Sequence, residues 1–105
     1  MNKYEGILIF KPDLPEKELE SEYLKAEEMV AKQGGKVERS EKWGKKKLAY
    51  SIKKFQDGFF LYEAFEAPPA SIKTLTELFK LNGNVLRVQF TKPKAQRGEQ
   101  NGQPK

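Results

Sequence analysis

The sequence contains neither cysteine nor histidine among its 105 residues. Without cysteine there is no disulfide framework, no thiolate nucleophile and no zinc site built on thiolates. Without histidine there is no imidazole general base, no Ser-His-Asp or Cys-His pair and no imidazole metal ligand. The glutamates also form no catalytic pair, since Glu63 and Glu66 are three residues apart on a predicted strand and point to opposite faces. We therefore predict a protein that is not an enzyme and that needs no metal or other cofactor.

Long apolar runs are absent as well. None approaches the ~20 residues of a membrane-spanning helix. The apolar run 4–10 is too short for a signal peptide and ends at Lys11-Pro12. We expect a soluble, cytoplasmic protein with no membrane partner, and the chain length predicts one domain.

Positive charge exceeds negative charge, because 20 Lys and Arg residues face 15 Asp and Glu residues and give a net charge of +5. The acidic residues concentrate in 16–28, whereas lysines gather in 42–54 around Trp43 and Tyr50. Lysine ammonium groups neutralise phosphates and release counterions, and aromatic rings provide stacking surfaces for unpaired bases. The segment 42–54 is therefore a candidate nucleic-acid surface. The alternative is that its lysines are solvated and protect a sheet edge from aggregation.

Hydrophobic periodicity predicts strands and helices in the order β-α-β-β-α-β. The predicted elements cover residues 4–10, 14–33, 37–54, 59–67, 71–81 and 85–91. Asp13 and Glu16 have the spacing of a capping box at the start of the first helix, and Gly34-Gly35 predicts its end. Gly44 is expected to form a bulge or a bend. A hairpin turn is predicted at 55–58, so that 46–54 would pair with 59–67.

This order of elements favours an α+β fold, a ferredoxin-like βαββαβ sandwich in which a four-stranded antiparallel sheet carries both helices on one face. Right-handed crossovers place the first and third strands in the middle. The third strand is apolar on both faces. We assign Leu61 and Phe65 to the core, Phe60 and Tyr62 to the open face and Glu63 to the core margin; a one-residue bulge would reverse this assignment.

The carboxyl end of the chain differs in composition from the rest. Between 93 and 105 the only apolar residue is Ala95, so this segment has too little apolar surface to offset its ordering entropy. We predict a domain over 1–92 and a disordered basic-polar tail over 93–105.

The segment WGKKKLAYSI, residues 43–52, resembles the signature of the family of the sixth protein of the bacterial small ribosomal subunit. That signature is Gly, basic residues, Leu-Ala-Tyr, any residue and Ile. Further matches follow in the same order over residues 2–92, at Tyr4-Glu5, Gly35-Lys36-Val37, Glu66-Ala67-Pro68 and Asn82 to Arg87. The resemblance implies a ferredoxin-like structural constituent of the cytoplasmic ribosome. It also implies that the protein binds the central domain of small-subunit ribosomal RNA together with the eighteenth small-subunit protein.

The resemblance and the residue chemistry together indicate which residues bind RNA and which contact the partner protein. The family often has Arg where this sequence has Lys, which keeps the charge but loses the planar bidentate fork. The RNA-binding candidates are Lys42, Trp43, Lys45, Lys46, Lys47, Tyr50 and Arg87. The candidates for contact with the partner protein are Tyr4, Phe60 and Tyr62. The tail is expected to order only on the assembled partner and RNA, and the isolated protein is expected to be a monomer.

A second function stays open. The segment DGFFLY, residues 57–62, loosely resembles the aromatic third strand of RNA recognition motifs, although that motif has a basic residue before its glycine. The alternative is therefore a stand-alone single-stranded RNA-binding module of that type.

Overall fold

The six elements of the structure, a computed structural model that describes residues 2–92, follow the predicted order. They are β1 (Asn2–Phe10), α1 (Glu16–Lys32), β2 (Lys36–Ile52), β3 (Phe55–Ala67), α2 (Ser71–Leu81) and β4 (Val85–Thr91). The strands form one antiparallel sheet in the order β2-β3-β1-β4. The ferredoxin-like fold and the central position of the first and third strands are confirmed. The predicted tail 93–105 lies outside the described residues.

Alternation along β3 builds the core. Leu61 and Phe65 are fully buried, and they pack with apolar residues from both helices in a single cluster. Both helices therefore cover the same face of the sheet. Burying a side chain of this size contributes roughly 1.5–3 kcal/mol. Phe60 and Tyr62 point to the other face, where they are half-buried, and the predicted assignment of the two faces is correct for these four residues.

The helix stripe and the end of α1 also follow the sequence pattern. The buried residues of the stripe are Leu19, Tyr23, Ala26 and Val30. Gly34 has φ +85°, and its N–H donates to the carbonyl of Ala31 at 3.0 Å. The N–H of Gly35 donates to the carbonyl of Val30 at 2.9 Å. These two bonds form a Schellman motif, which requires the left-handed conformation that glycine supplies.

The predicted capping box at the start of α1 is wrong. The N-cap residue is Pro15, with φ −61° and ψ 153°, and no side chain caps the helix there. Asp13 lies two residues before the N-cap, too early to accept from the first helical amides. The helix begins at Glu16 because Pro15 has a φ that suits a helix start, and its carbonyl accepts from the N–H of Leu19 at 2.9 Å.

The hairpin turn between β2 and β3 lies earlier than predicted. Ile52 pairs with Phe55, so the turn consists of Lys53 and Lys54, with φ +49° and +74°. Positive φ at both central residues is typical of a type I′ turn, whose twist matches that of the strands. Gly58 lies within β3, where a Cβ would meet Ile9 Cγ2 at 2.6 Å. This glycine is needed for close packing, and the prediction mistook it for a turn residue.

A buried carboxylate ties α1 to the connection between α2 and β4. Glu22 is 4% exposed, and it accepts hydrogen bonds from Asn82 Nδ2 at 2.7 Å and from Asn84 Nδ2 at 2.8 Å. The backbone N–H of Asn84 donates to Asn82 Oδ1 at 2.9 Å. Because both side-chain amides donate to one carboxylate, its loss leaves two half-buried donors without their acceptor.

We predict that Glu22→Ala lowers the free energy of unfolding by about 2–4 kcal/mol, because two amide groups lose their acceptor. Urea denaturation measures this loss. Glu28→Ala removes an exposed carboxylate from the same helix and should change stability by less than about 0.5 kcal/mol. Equal losses in the two variants would contradict the structural role of the Glu22 carboxylate.

Glu63 was expected at the core margin, but it is 1% exposed and lies inside the core. Its Oε2 atom has no hydrogen-bond partner within the described residues. Burial, with a smaller contribution from Glu27, raises the pKa of Glu63 to about 7. The alternation of β3 forces this position inward between Leu61 and Phe65, so the carboxyl group is held in its neutral form over much of the acidic range.

We predict that stability falls as pH rises from 5 to 8. The pKa of Glu63 is raised from its ordinary value of 4.5 to about 7. Its contribution is therefore fully present below pH 4.5 and is lost as pH rises through 7, a change on the order of 3 kcal/mol. Chemical unfolding at a series of pH values should show this slope in the wild type and in a Glu77→Gln control. Glu63→Gln should abolish it, and an unchanged slope in Glu63→Gln would refute the assignment.

Candidate nucleic-acid interface

The predicted basic cluster lies on β2, which forms one edge of the sheet. Lys42 pairs with Leu61 and Gly44 with Phe60, so Trp43 is an extra residue without a partner on β3. Gly44 has φ +84°, a conformation that side chains rarely adopt. The predicted bulge at Gly44 is confirmed, and it determines which residues of β2 share a face.

The register divides the predicted lysines between the two faces of the sheet. Lys42 and Lys45 point to the helix side, where Lys45 pairs with Phe59 and its Nζ lies 5.4 Å from the centre of that ring. Lys47 pairs with Asp57, which belongs to the same face. All three are exposed, so β2 presents cations beside the helices as well as on the open face.

Lys46 takes the opposite side. It pairs with Gly58 and its Nζ lies 5.3 Å from the centre of the Trp43 ring on the open face. Trp43 stacks on Tyr62 with ring centres 5.3 Å apart and an interplanar angle of 3°. An ammonium group near an aromatic ring is attracted by the ring electrons and stays available to solvent. The open face therefore carries a Lys46–Trp43–Tyr62 stack.

Polar partners hold this stack in place. Trp43 Nε1 donates to Glu41 Oε1 at 2.9 Å, and Tyr62 Oη donates to Glu5 Oε2 at 2.8 Å. Burial, together with the bond to Glu5, raises the pKa of Tyr62 to about 12. Arg39 donates to Glu41 and lies 5.8 Å from the Tyr62 ring centre. Sequence reasoning missed Glu5, Arg39 and Glu41, although Arg39, Glu41 and Trp43 follow the two-residue period of one strand face.

The remaining predicted RNA-binding residues, Tyr50 and Arg87, meet across the open face. Arg87 Nη1 donates to Tyr50 Oη at 2.8 Å, although β4 and β2 are the two outer strands of the sheet. The ladder between β2 and β3 is interrupted from Lys47 to Ile52. The segment 48–51 therefore reaches over the sheet, and we call it the arm.

The arm covers an open pocket of about 220 Å³, whose apolar lining includes Ile7, Ile9, Leu48 and Phe60. Large apolar residues at every second position, Leu48, Tyr50 and Ile52, are the pattern from which a strand with one buried face is predicted. Leu48 and Ile52 are half-buried, whereas Tyr50 is 62% exposed, so that prediction is wrong for Tyr50. The tyrosine projects to Arg87 because the arm leaves the ladder.

Tyr4 does not belong to the open face. It pairs with Phe65, lies 5.9 Å from that ring and is 7% exposed within the core. Directly paired residues of antiparallel strands point to the same side, so Tyr4 lies under the helices and away from Phe60 and Tyr62. Its place among the candidates for partner contact is therefore corrected.

We predict that Tyr50→Phe loosens the arm, because it removes the acceptor of the Arg87 bond while keeping the ring. Such a bond is worth about 1 kcal/mol, so amides of the arm should exchange hydrogen roughly fivefold faster. Exchange measured by NMR should stay unchanged in α2, which packs on the other face of the sheet. Equal exchange of the arm in both proteins would show that the bond does not hold it.

The architecture defines the class: a ferredoxin-like domain whose exposed edge strand is rich in lysine. The family model described as "Ribosomal protein S6" matches residues 3–92. The chain belongs to this ribosomal protein family, as the WGKKKLAYSI segment predicted. Neither α1 nor α2 is long and apolar enough to cross a membrane. Within residues 2–92 no three carboxylates come together as potential metal ligands.

Individual relatives agree with the family model. The small ribosomal subunit protein bS6 of Geotalea daltonii is 38% identical over 92 residues, which cover 88% of this chain and 72% of that protein. The protein of the same name from Elusimicrobium minutum is 37% identical over 87 residues, 83% of this chain and 84% of the relative. The crystal structure of 30S ribosomal protein S6 from Thermotoga maritima has a TM-score of 0.83 at 27% identity, covering 91% of this chain and 98% of that chain.

Proposed function

We propose that this chain is a structural constituent of the small ribosomal subunit that binds the central domain of small-subunit ribosomal RNA together with the eighteenth small-subunit protein. Membership of the S6 family supports a ribosomal role. The observation that carries RNA binding is the set of exposed lysines that β2 presents on both faces of a free sheet edge. These lysines are Lys42, Lys45, Lys46 and Lys47.

A lysine-bearing edge suits contact with a phosphate backbone. The ammonium groups of Lys45 and Lys46 point to opposite faces, so a strand of RNA that runs along the edge meets cations on either side. Lysine acts as a point charge and does not read bases, which favours positioning over sequence recognition. Arg87 adds a guanidinium on the open face, held by Tyr50. The lysines therefore place the protein on RNA without any chemical step.

The open face supplies the proposed contact with the partner protein. Phe60 and Tyr62 lie there beside Ile7 and Ile9, and Phe60 and Ile9 line the pocket under the arm. A half-buried apolar surface of this kind is suited to a protein neighbour. Phe60 and Tyr62 are therefore the proposed contacts, whereas Tyr4 is buried in the core. The contribution proposed for the tail concerns residues outside those described.

The geometry does not favour the stand-alone single-stranded RNA binder. That function needs free aromatic rings on the central strands, on which bases can stack. Here Tyr62 lies against Trp43 and Phe60 lines the pocket under the arm. Trp43 thus occupies the ring face of Tyr62 on which a base would stack, and the arm restricts access to Phe60.

We predict that replacing Lys45, Lys46 and Lys47 by Ala weakens binding to the central-domain RNA without unfolding the domain. Losing up to three phosphate contacts should lower the slope of log affinity against log salt by about 2–3. Filter binding or calorimetry at several salt concentrations measures this slope. A control variant replaces Lys17, Lys32 and Lys73, exposed on the helices, and removes the same charge. If both triple variants bind alike, the edge strand is not the RNA surface.

The partner requirement is tested in the same assay. Affinity of the wild-type chain for the RNA should rise strongly when the eighteenth protein is present. Tight binding of the chain alone to generic single strands, unaffected by that protein, would support the second function and overturn the first. Co-purification with small ribosomal subunits, lost at high salt, is the expected result in cell extracts.

A further inference from the structure

A second group of basic side chains belongs to residues at the hairpin end of the sheet, away from the Gly44 bulge. Lys53 at the hairpin turn, Lys80 in the last turn of α2 and Arg87 on β4 line one open concavity of about 390 Å³. The rest of its lining is Val85, Leu86 and Val88, and no carboxylate of the described residues contributes. Lys53 is distant in sequence from Lys80 and Arg87, and the fold places all three around this concavity.

The arm explains how the hairpin turn reaches β4. The bond from Arg87 to Tyr50 joins β4 to the segment just before the turn, and Lys53 follows three residues later. That bond occupies one N–H of the Arg87 guanidinium, which carries several more donors. The guanidinium is therefore oriented, and its remaining donors can meet an anion.

The backbone conformation of the turn is unfavourable for lysine. Lys53 and Lys54 both have positive φ, where Asn and Gly are favoured. A turn chosen for stability alone would carry Asn-Gly at these positions. Strained residues of this kind are common at binding sites, where the side chain has a role that offsets the unfavourable backbone. Lys53 has such a place, because this residue lines the concavity together with Lys80 and Arg87.

We propose that Lys53, Lys80 and Arg87 form a phosphate-binding site for the backbone of the RNA, separate from the lysines of the β2 edge. This site rests on the proposed function, and it gives the RNA a second point of attachment. A phosphodiester bound by two ammonium groups and one guanidinium has its charge neutralised, and the guanidinium fork fixes its orientation. Two attachment points, one on β2 and one beside β4, define the orientation of the protein on the RNA.

The substitutions of Lys53 and Lys80 each have a matched control variant. Lys53→Asn and Lys54→Asn each remove one charge and each place a favoured residue at positive φ, but only Lys53 lines the concavity. Lys80→Gln is matched by Lys73→Gln, on the same helix and also exposed. Both Asn variants should raise the thermal midpoint, so weaker binding cannot come from unfolding.

The experiment measures affinity for a central-domain RNA fragment, with the full chain and the eighteenth protein present. Lys53→Asn and Lys80→Gln should each weaken binding roughly tenfold at 0.1 M salt and lower the salt slope by about 1. Lys54→Asn and Lys73→Gln should bind like the wild type. Equal effects of Lys53→Asn and Lys54→Asn would overturn the site, and so would wild-type affinity in Lys53→Asn and Lys80→Gln. If the wild type itself binds no RNA, the proposed function fails, and the site with it.

Discussion

The alternation of side chains along β3 is the constraint on which the rest of the structure depends. β3 is paired on both sides, and successive residues must point either under the helices or to the open face. Leu61 and Phe65 go inward and join the helices in one core, whereas Phe60 and Tyr62 go outward. A shift by one residue would exchange the two sets and destroy the core. The same rule places Glu63 inward, where its Oε2 atom has no hydrogen-bond partner among the described residues.

The candidate interface arises from departures from this regular pattern. The extra residue at the Gly44 bulge decides which of Lys45 and Lys46 points to the helix side and which to the open face, and it lets Trp43 meet Tyr62. A second irregularity releases the arm, so that Tyr50 contacts Arg87 at the far edge of the sheet. Bulges re-aim side chains next to sites in many sheets. Here the irregularities distribute one run of lysines over both faces of the sheet and the hairpin end of β2.

Much of the fold was predictable because its signals are periodic. The buried stripe of α1 and the span of α2 depend on a period of 3.6, and the strands depend on a period of 2. The errors lie where a single local signal competed with packing. Gly58 is a residue type typical of turns, yet it lies within β3, where a Cβ would collide with Ile9. Asp13 is a residue type that commonly caps helices, yet the N-cap residue is Pro15, two residues later.

Composition, periodicity and the segment 43–52 were sufficient to determine the absence of cysteine and histidine chemistry, the α+β fold, the family and the basic character of β2. Tertiary structure alone decided the face of each lysine, the burial of Tyr4 and the meeting of Lys53, Lys80 and Arg87. The reason is physical. Periodicity reports which side of an element is apolar, but bulges, register and turn position depend on pairing between strands that are distant in sequence.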